Sequence, residues 1–383
     1  MDAAAERLPL LETVGRVLAE EVVADRDLPP FPRATRDGYA VRSRESKAGG
    51  RFHVAGEVRA GEAPAAASTT APPNTCFEIM TGAAVPEGFD AVVMVEHTRC
   101  EGGLVILDRE LSAMESIVPQ GAEAKRGAAL LRAGKRVGIA DVALAASAGR
   151  GELNVWKKPR VAVLATGDEL VEAGDKPKPH QIRNSNTYSL AAQVISAGGE
   201  PVMLPVAPDE KARLQQLMMK GFEADLLLIA GGVSMGKYDL VEQVLKAMGA
   251  EFLFTGVLIQ PGRPAVFGRV SKKYFFGLPG NPVSTMVTFE LFVRPFLRSL
   301  GGEAATETRF ASAKLVSDFR TKTGLTRFLP ARLSGDHRGP GVEVVRWQGS
   351  GDIVSASQAE CFLVVPPDRD VLRAGEMVSI LLR

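Results

Sequence analysis

From residue 159 onward the chain alternates two kinds of segment, and this alternation constrains the fold more than any other feature. VAVLAT, PVMLPVA and DLLLIAGG are short apolar runs of the buried-strand type. Each is followed by helical periodicity, in NTYSLAAQVISAGG, DEKARLQQLMMKGF and YDLVEQVLKAMG. Strand–helix alternation with glycine at the helix ends predicts a doubly wound parallel sheet. FFGLPGNPVSTMVTFELFVRPFL supplies a further strand, a loop and a long helix.

The flanks read differently. LPLLETVGRVLAEEVVAD spaces Leu11, Val14, Val17, Leu18 and Val22 as an amphipathic helix would, until the prolines of LPPFPRATRDGYAVRS stop regular structure. From about 36 to 118, short β-like runs such as AVVMVEHT and LVILDR alternate with Gly/Pro punctuation, which predicts a small β-rich domain. The helix-like IADVALAASAG follows; packed against the N-terminal segment, it would make the β-rich part an insertion. The last 80 or so residues return to strands (AKLVSD, VEVVRW, FLVVPP, MVSILLR) and read as a small barrel or sandwich.

Composition narrows the function. At about 150 residues per domain, 383 residues make two or three domains, or four small ones. Lys+Arg 46 against Asp+Glu 45, with no polybasic run, speaks against an electrostatic nucleic-acid or membrane-surface binder. No apolar stretch approaches the roughly 18–20 residues of a membrane span, and MDAAAERLPL has no signal-peptide core, so a cytoplasmic location is expected. Cys76, Cys100 and Cys361 are too few and too scattered for a disulfide framework, and the four histidines form no zinc spacing.

In open α/β sheets ligands bind outside the carboxyl ends of the strands. Three unusual sequences fall on that edge: TGDEL, GGVSMGKYD and LPGNPVS. Asp168 and Glu169 directly after a strand suit a hard cation such as Mg²⁺, or a helix-capping Asp in a solvated turn. Gly231, Gly236 and Lys237 fit the P-loop spacing, but Tyr238 stands where Ser or Thr must hold the metal. The Walker and dinucleotide folds are therefore rejected. What remains, through Gly231, Gly232 and Ser234, is a strand, a turn and a helix N-terminus able to take an anion. Asp239 in that helix's first turn is either a dipole-complementing acid or an organiser of metal and phosphate. In LPGNPVS, Gly280 permits close backbone approach, Pro282 suits a first helical turn and Ser284 can donate. Arg263 in QPGRP offers a fork for an oxyanion, or is an exposed hairpin arginine. On their chemistry alone, Asp37 (RDGYAV) and Thr81 (IMTGAAVPEG) read as turn formers.

DGYAV, IMTGAAVPEGFDAVVMVE, TGDEL, AGGVSMGKYD, PGRP and GLPGNPVS, in this order, resemble the molybdopterin molybdenumtransferase family, which includes MoeA and the gephyrin E domain of animals. The resemblance runs from about residue 8 to the C-terminus. It implies a multi-domain α/β subunit in a homodimer: a helical linker domain (1–35 with 119–155), a β-rich inserted domain (36–118), a doubly wound molybdopterin-binding domain (156–302) and a C-terminal β-barrel (303–383). It implies adenylylated molybdopterin and molybdate as substrates, AMP as a product and Mg²⁺ or a similar ion as cofactor. Contact with the adenylyltransferase or acceptor apo-enzymes is a further expectation.

By the same resemblance, Asp37, Thr81, Glu169, Asp209 and Asp239 match polar residues around the family's active site. Asp168, Glu169 and Asp239 are the expected metal ligands. Gly231, Gly232, Ser234, Arg263, Pro279, Gly280, Asn281, Pro282 and Ser284 match substrate-binding positions, joined in the barrel by Arg332 (FLPAR) and Ser350 (QGSGD). The chain departs from the family pattern in FPRATRDGYA, where Arg33 and Arg36 add charge near Asp37. It departs again in GVLIQPGRP, where Gly256 and Gln260 occupy usual lysine positions and Arg263 a third. Two other readings stay open: an adenylyltransferase-like enzyme, which needs only the doubly wound domain, and a gephyrin-like non-catalytic scaffold. The choice between molybdate and tungstate is open too, since both present the same charge and shape.

Overall fold

The computed structural model describes residues 4–62, 71–232 and 240–383. Its centre is a six-stranded sheet made of β1 (Arg160–Ala165), β2 (Glu200–Met203), β3 (Leu226–Ala230), β4 (Glu251–Thr255), β5 (Val266–Val270) and β6 (Lys273–Leu278). The order across the sheet is β2-β1-β3-β6-β5-β4, with β2, β1, β3 and β6 parallel and β5 antiparallel to both of its neighbours. Helices α1 (Asn186–Ala197), α2 (Lys211–Gly221), α3 (Leu240–Ala247) and α4 (Pro282–Thr288) accompany it.

Both faces of the sheet are buried, which is why its strands are continuous apolar runs. Ala162, Leu164, Leu227 and Ile229 pack on one side with Leu214, Leu217 and Met218 of α2 and Val241 and Leu245 of α3. Their chain neighbours Val161, Val163, Leu226 and Leu228 point the other way, onto Leu190 and Val194 of α1 and onto Phe289, Val293 and Leu297. Each of these side chains larger than alanine contributes about 1.5–3 kcal/mol on burial. The chain leaves β1 toward β2 on one side and returns to β3 on the other. The carboxyl ends of β1 and β3 therefore flank the topological switch point.

The N-terminal segment is not the helix that its spacing predicts. Ala5–Pro9 is a strand, Leu10–Thr13 a single 3₁₀ turn, and Val22–Val23 a short strand. Leu11, set on the expected apolar face, is 81% exposed. Two forces override the local pattern. Gly15 sits at φ +76°, a left-handed conformation that ends any helix, and Leu18 and Val22 find their burial through pairing with distant residues. Ala5–Pro9 pairs with Glu152–Trp156, Val22–Val23 with Ala129–Leu131, and Arg33–Ala34 with Ile117–Val118. The expected helix in the returning segment is present at Ile139–Ser147.

Between those paired segments, Gly38–Val41, Arg51–Val58, Thr75–Ile79, Ala91–Met94, Thr98–Glu101 and Leu104–Leu107 form one six-stranded sheet. At the other end of the chain Thr326–Asp336, Gly339–Val344, Phe310–Leu315, Met377–Leu382 and Cys361–Val365 pair in a ring that closes back on Thr326–Asp336, a five-stranded barrel. Among the described residues no helix is long and apolar enough to cross a membrane.

Candidate active site

The strand-end sequences TGDEL, the glycine pair and LPGNPVS follow β1, β3 and β6, three neighbouring parallel strands, so their described parts meet on one edge. The Thr166 amide donates to the Ala230 carbonyl at 3.1 Å, and the Gly231 amide to the Leu278 carbonyl at 3.1 Å. Gly231 has φ +92°, and a Cβ there would lie 2.8 Å from the Thr166 carbonyl oxygen. Only glycine lets β3 turn this close to β1. A Cβ on Gly280 would stand 3.5 Å from the Gly231 Cα, so the second and third loops touch through backbone alone.

The acidic residues are tied to the same turn. The Thr166 hydroxyl donates to Asp209 Oδ1 at 3.2 Å, and the Asp209 amide donates to Asp168 Oδ1 at 3.0 Å. Asp168, Glu169 and Asp209 are all exposed, and the Glu169 carboxylate accepts no hydrogen bond among the described residues. Asn186, the first residue of α1, donates its Nδ2 to the Gly280 carbonyl at 2.6 Å while its Oδ1 is buried without a partner. The barrel closes one side: Asn281 Nδ2 donates to the Ser350 hydroxyl at 2.9 Å, and the Val283 amide to the Ser350 carbonyl at 2.9 Å. One amide of the α4 N-terminus is thereby already engaged. Pro279 and Ser284 are buried, whereas Gly280 and Asn281 are exposed.

Other residues picked from sequence sit elsewhere. Asp37 and Thr81 meet each other in the β-rich sheet: the Thr81 amide and hydroxyl both donate to Asp37 Oδ1, at 2.6 and 2.8 Å. Those bonds, the amide's above all, hold the Asp37 carboxyl below the usual aspartate range. Among the described residues, no hydrogen bond or ion pair joins this sheet to the central one. Arg332 donates to the carbonyl and Oε1 of Gln358, not to the LPGN loop. Arg263 is exposed, and its carbonyl accepts from the Val257 amide. Ser234 and Asp239 lie outside the described residues. Among the described residues, no group of three His, Cys, Asp or Glu is arranged to hold a metal by itself.

Sequence reasoning gathered Thr166 with TGDEL but gave its side chain no role, and it passed over Asn186 and Arg327. Thr166 and Asn186 carried a signal, as polar residues at a strand end and a helix start. Arg327 did not: its guanidinium donates to Gln260 Oε1 because Ile259–Gln260 pairs in parallel with Thr326–Arg327 of the barrel. A cation thus stands beside the position where Gln260 brings none.

A doubly wound domain with a backbone-lined acidic crevice at its switch point, an inserted β-sheet and a closing barrel defines a multi-domain α/β protein whose crevice lies where such sheets take their ligands. The comparisons name the group. Family models match in chain order: the MoeA N-terminal region over 2–149, a probable molybdopterin binding domain over 162–299 and the MoeA C-terminal region over 312–382. The molybdopterin molybdenumtransferase of Staphylococcus epidermidis is 33% identical, the match covering 97% of this chain and 89% of the relative. That of Bacillus subtilis is 34% identical over 98% and 89%. The crystal structure of the molybdopterin biosynthesis MoeA protein from Pyrococcus horikoshii OT3 superposes with a TM-score of 0.82 at 30% identity, covering 99% of this chain and 95% of that one. The chain belongs to the molybdopterin molybdenumtransferase family.

Proposed function

We propose that this protein inserts molybdate into adenylylated molybdopterin and releases AMP, a step in molybdenum cofactor biosynthesis. The observation that carries the reading is the convergence of the β1, β3 and β6 loops on one crevice, with Ser350 of the barrel fastened to it. A phosphoanhydride needs close backbone approach, which Gly231, Gly232 and Gly280 allow, and a means of neutralising charge as the bond breaks. The names of the relatives supply the substrate class.

The exposed oxygens of Asp168 and Glu169 fit Mg²⁺, which takes one or two carboxylates and leaves its other positions to phosphate. In this reading Asp168, Glu169 and Asp239 hold the ion, which when bound neutralises phosphate charge. Asp209 orients the turn through Thr166 and Asp168. Gly231, Gly232, Pro279, Asn281, Pro282 and Ser284 contour the crevice, and Ser350, fastened to Asn281, serves the oxyanion. Asp37 and Thr81 complete the site from the second subunit of a homodimer, giving two equivalent composite sites. The product passes to acceptor apo-enzymes by direct contact.

The test supplies adenylylated molybdopterin, Mg²⁺ and molybdate, and follows AMP. Release should require the oxyanion and the divalent ion, and Glu169→Gln should abolish it with the fold intact. Consumption of ATP with plain molybdopterin would instead mark an adenylyltransferase, and tight partner capture with no AMP a scaffold. Co-expressing Asp37→Ala with Glu169→Ala should restore roughly a quarter of wild-type activity, because about half of randomly formed dimers carry one intact site. Inactive, verified heterodimers would refute the shared site.

A further inference from the structure

A cavity of about 280 Å³ lies between the end of the helix that continues α4, the connector into the barrel and the barrel's last strand. It is separate from the strand-end crevice, and five arginines line it: Arg136, Arg294, Arg298, Arg309 and Arg383. The acids opposing them are Glu290 and Glu307 in the wall and Glu303 behind it. Five arginines against three glutamates leave the cavity with an excess of positive side-chain charge.

Part of this cluster is structural. Arg136 is fully engaged by Glu303 and the carbonyls of Gly15 and Ala197. The rest has donors to spare. Arg294 gives Nε and Nη2 to Glu290, and Arg298 gives the same pair to Glu303, so each retains Nη1. Arg383 uses only Nη1, on the carbonyls of Ala356 and Ala359. Arg309 makes no side-chain hydrogen bond or ion pair among the described residues, and neither does the neighbouring Thr308 hydroxyl. Arginines that served only to join the domains would already be satisfied by Glu290 and Glu303; Arg309 has no such role.

We propose that this cavity is a second anion site, taking a phosphate group, either free or as a small phosphomonoester. Forked guanidinium donors match phosphate oxygens in pairs, and an anion answers the excess of positive side chains. The volume lies just below the usual range for small-ligand sites and suits a small anion. The bound group would bridge the central domain to the barrel.

The experiment is thermal unfolding and calorimetric titration of the full chain with inorganic phosphate and with glycerol 3-phosphate, against sodium chloride at matched ionic strength. Wild-type protein should be stabilised saturably by one or both probes, and the stronger of the two identifies the source. Arg309→Glu should raise the midpoint at least tenfold and Arg309→Gln should raise it less, while Ser350→Ala leaves it unchanged. The proposal falls if chloride reproduces the stabilisation, or if both folded Arg309 variants keep the wild-type midpoint. It falls equally if Ser350→Ala removes the response, because the anion would then be at the strand-end crevice.

Discussion

Glu303→Gln should loosen the junction of linker, central domain and barrel. Glu303 is buried and accepts four N–H groups: Arg136 Nε and Nη2 at 3.1 and 2.8 Å, and Arg298 Nε and Nη2 at 2.8 and 2.5 Å. Burial works against its ionisation, but the hydrogen bonds from Arg298 and then Arg136 win and hold its carboxyl at about 2. Glutamine keeps the shape and turns one acceptor into a donor facing a guanidinium. Breaking a buried pair costs about 3–5 kcal/mol. The Arg136 side chain is 29% exposed, so solvent recovers part of that, and a loss of about 2–4 kcal/mol is expected. Trp156 reports on this place, since a Cβ on Gly302 would lie 2.4 Å from its ring. In a Trp347→Phe background it is the sole tryptophan, and its fluorescence through a urea titration reads the junction directly. A depressed folded-state pKa contributes stability that is present above the unfolded value near 4.5 and is lost as pH falls through about 2. The gap between wild type and variant should therefore be flat from about pH 5 to 8 and close below about pH 4. A gap under about 0.5 kcal/mol at neutral pH, or one that widens in acid, would refute the reasoning.

In the β-rich sheet, Gly38→Ala would set a Cβ 1.8 Å from the Val93 carbonyl oxygen; the strand pair Gly38–Val41 with Ala91–Met94 should open at a cost above about 3 kcal/mol. Limited proteolysis should then cut within 36–118 while the central sheet resists, and wild-type resistance there would contradict the contact. Thr81→Val removes the hydroxyl donor to Asp37, so the Asp37 carboxyl should titrate at higher pH by carboxyl-carbon NMR; an unmoved titration would mean that the amide bond alone sets it. Gln260→Lys replaces the acceptor of Arg327 by a like charge, costing roughly 1–3 kcal/mol at about 5 Å in an effective dielectric between 20 and 80. Under the transferase reading it should also lower the molybdate concentration for half-maximal AMP release, and no change would place the oxyanion contacts elsewhere.

The central domain was legible because its strands are buried twice over. Val161 and Val163 face one layer and Ala162 and Leu164 the other, so no polar residue interrupts the run and only a sandwiched sheet explains it. The linker was not legible, because Leu11 and Val14 have helical spacing for no helical reason. Gly15 and pairings made more than a hundred residues away decide the backbone there. For the crevice, the rule that ligands sit at strand carboxyl ends was enough to gather residues 166–169, 231–232 and 279–282 before their neighbours were known. It cannot reach residues that arrive from another domain. The string FLPAR made Arg332 the natural cation, yet its strand turns that guanidinium toward Gln358, while Arg327, five residues earlier, meets Gln260. Register settles which arginine goes where. Gln260 lies opposite Arg327 in a parallel pair, so the two strands bring side chains to the same side at the same level. A charge removed from one strand is in this way set beside a charge on the next, an exchange that single-chain motif spacing does not record.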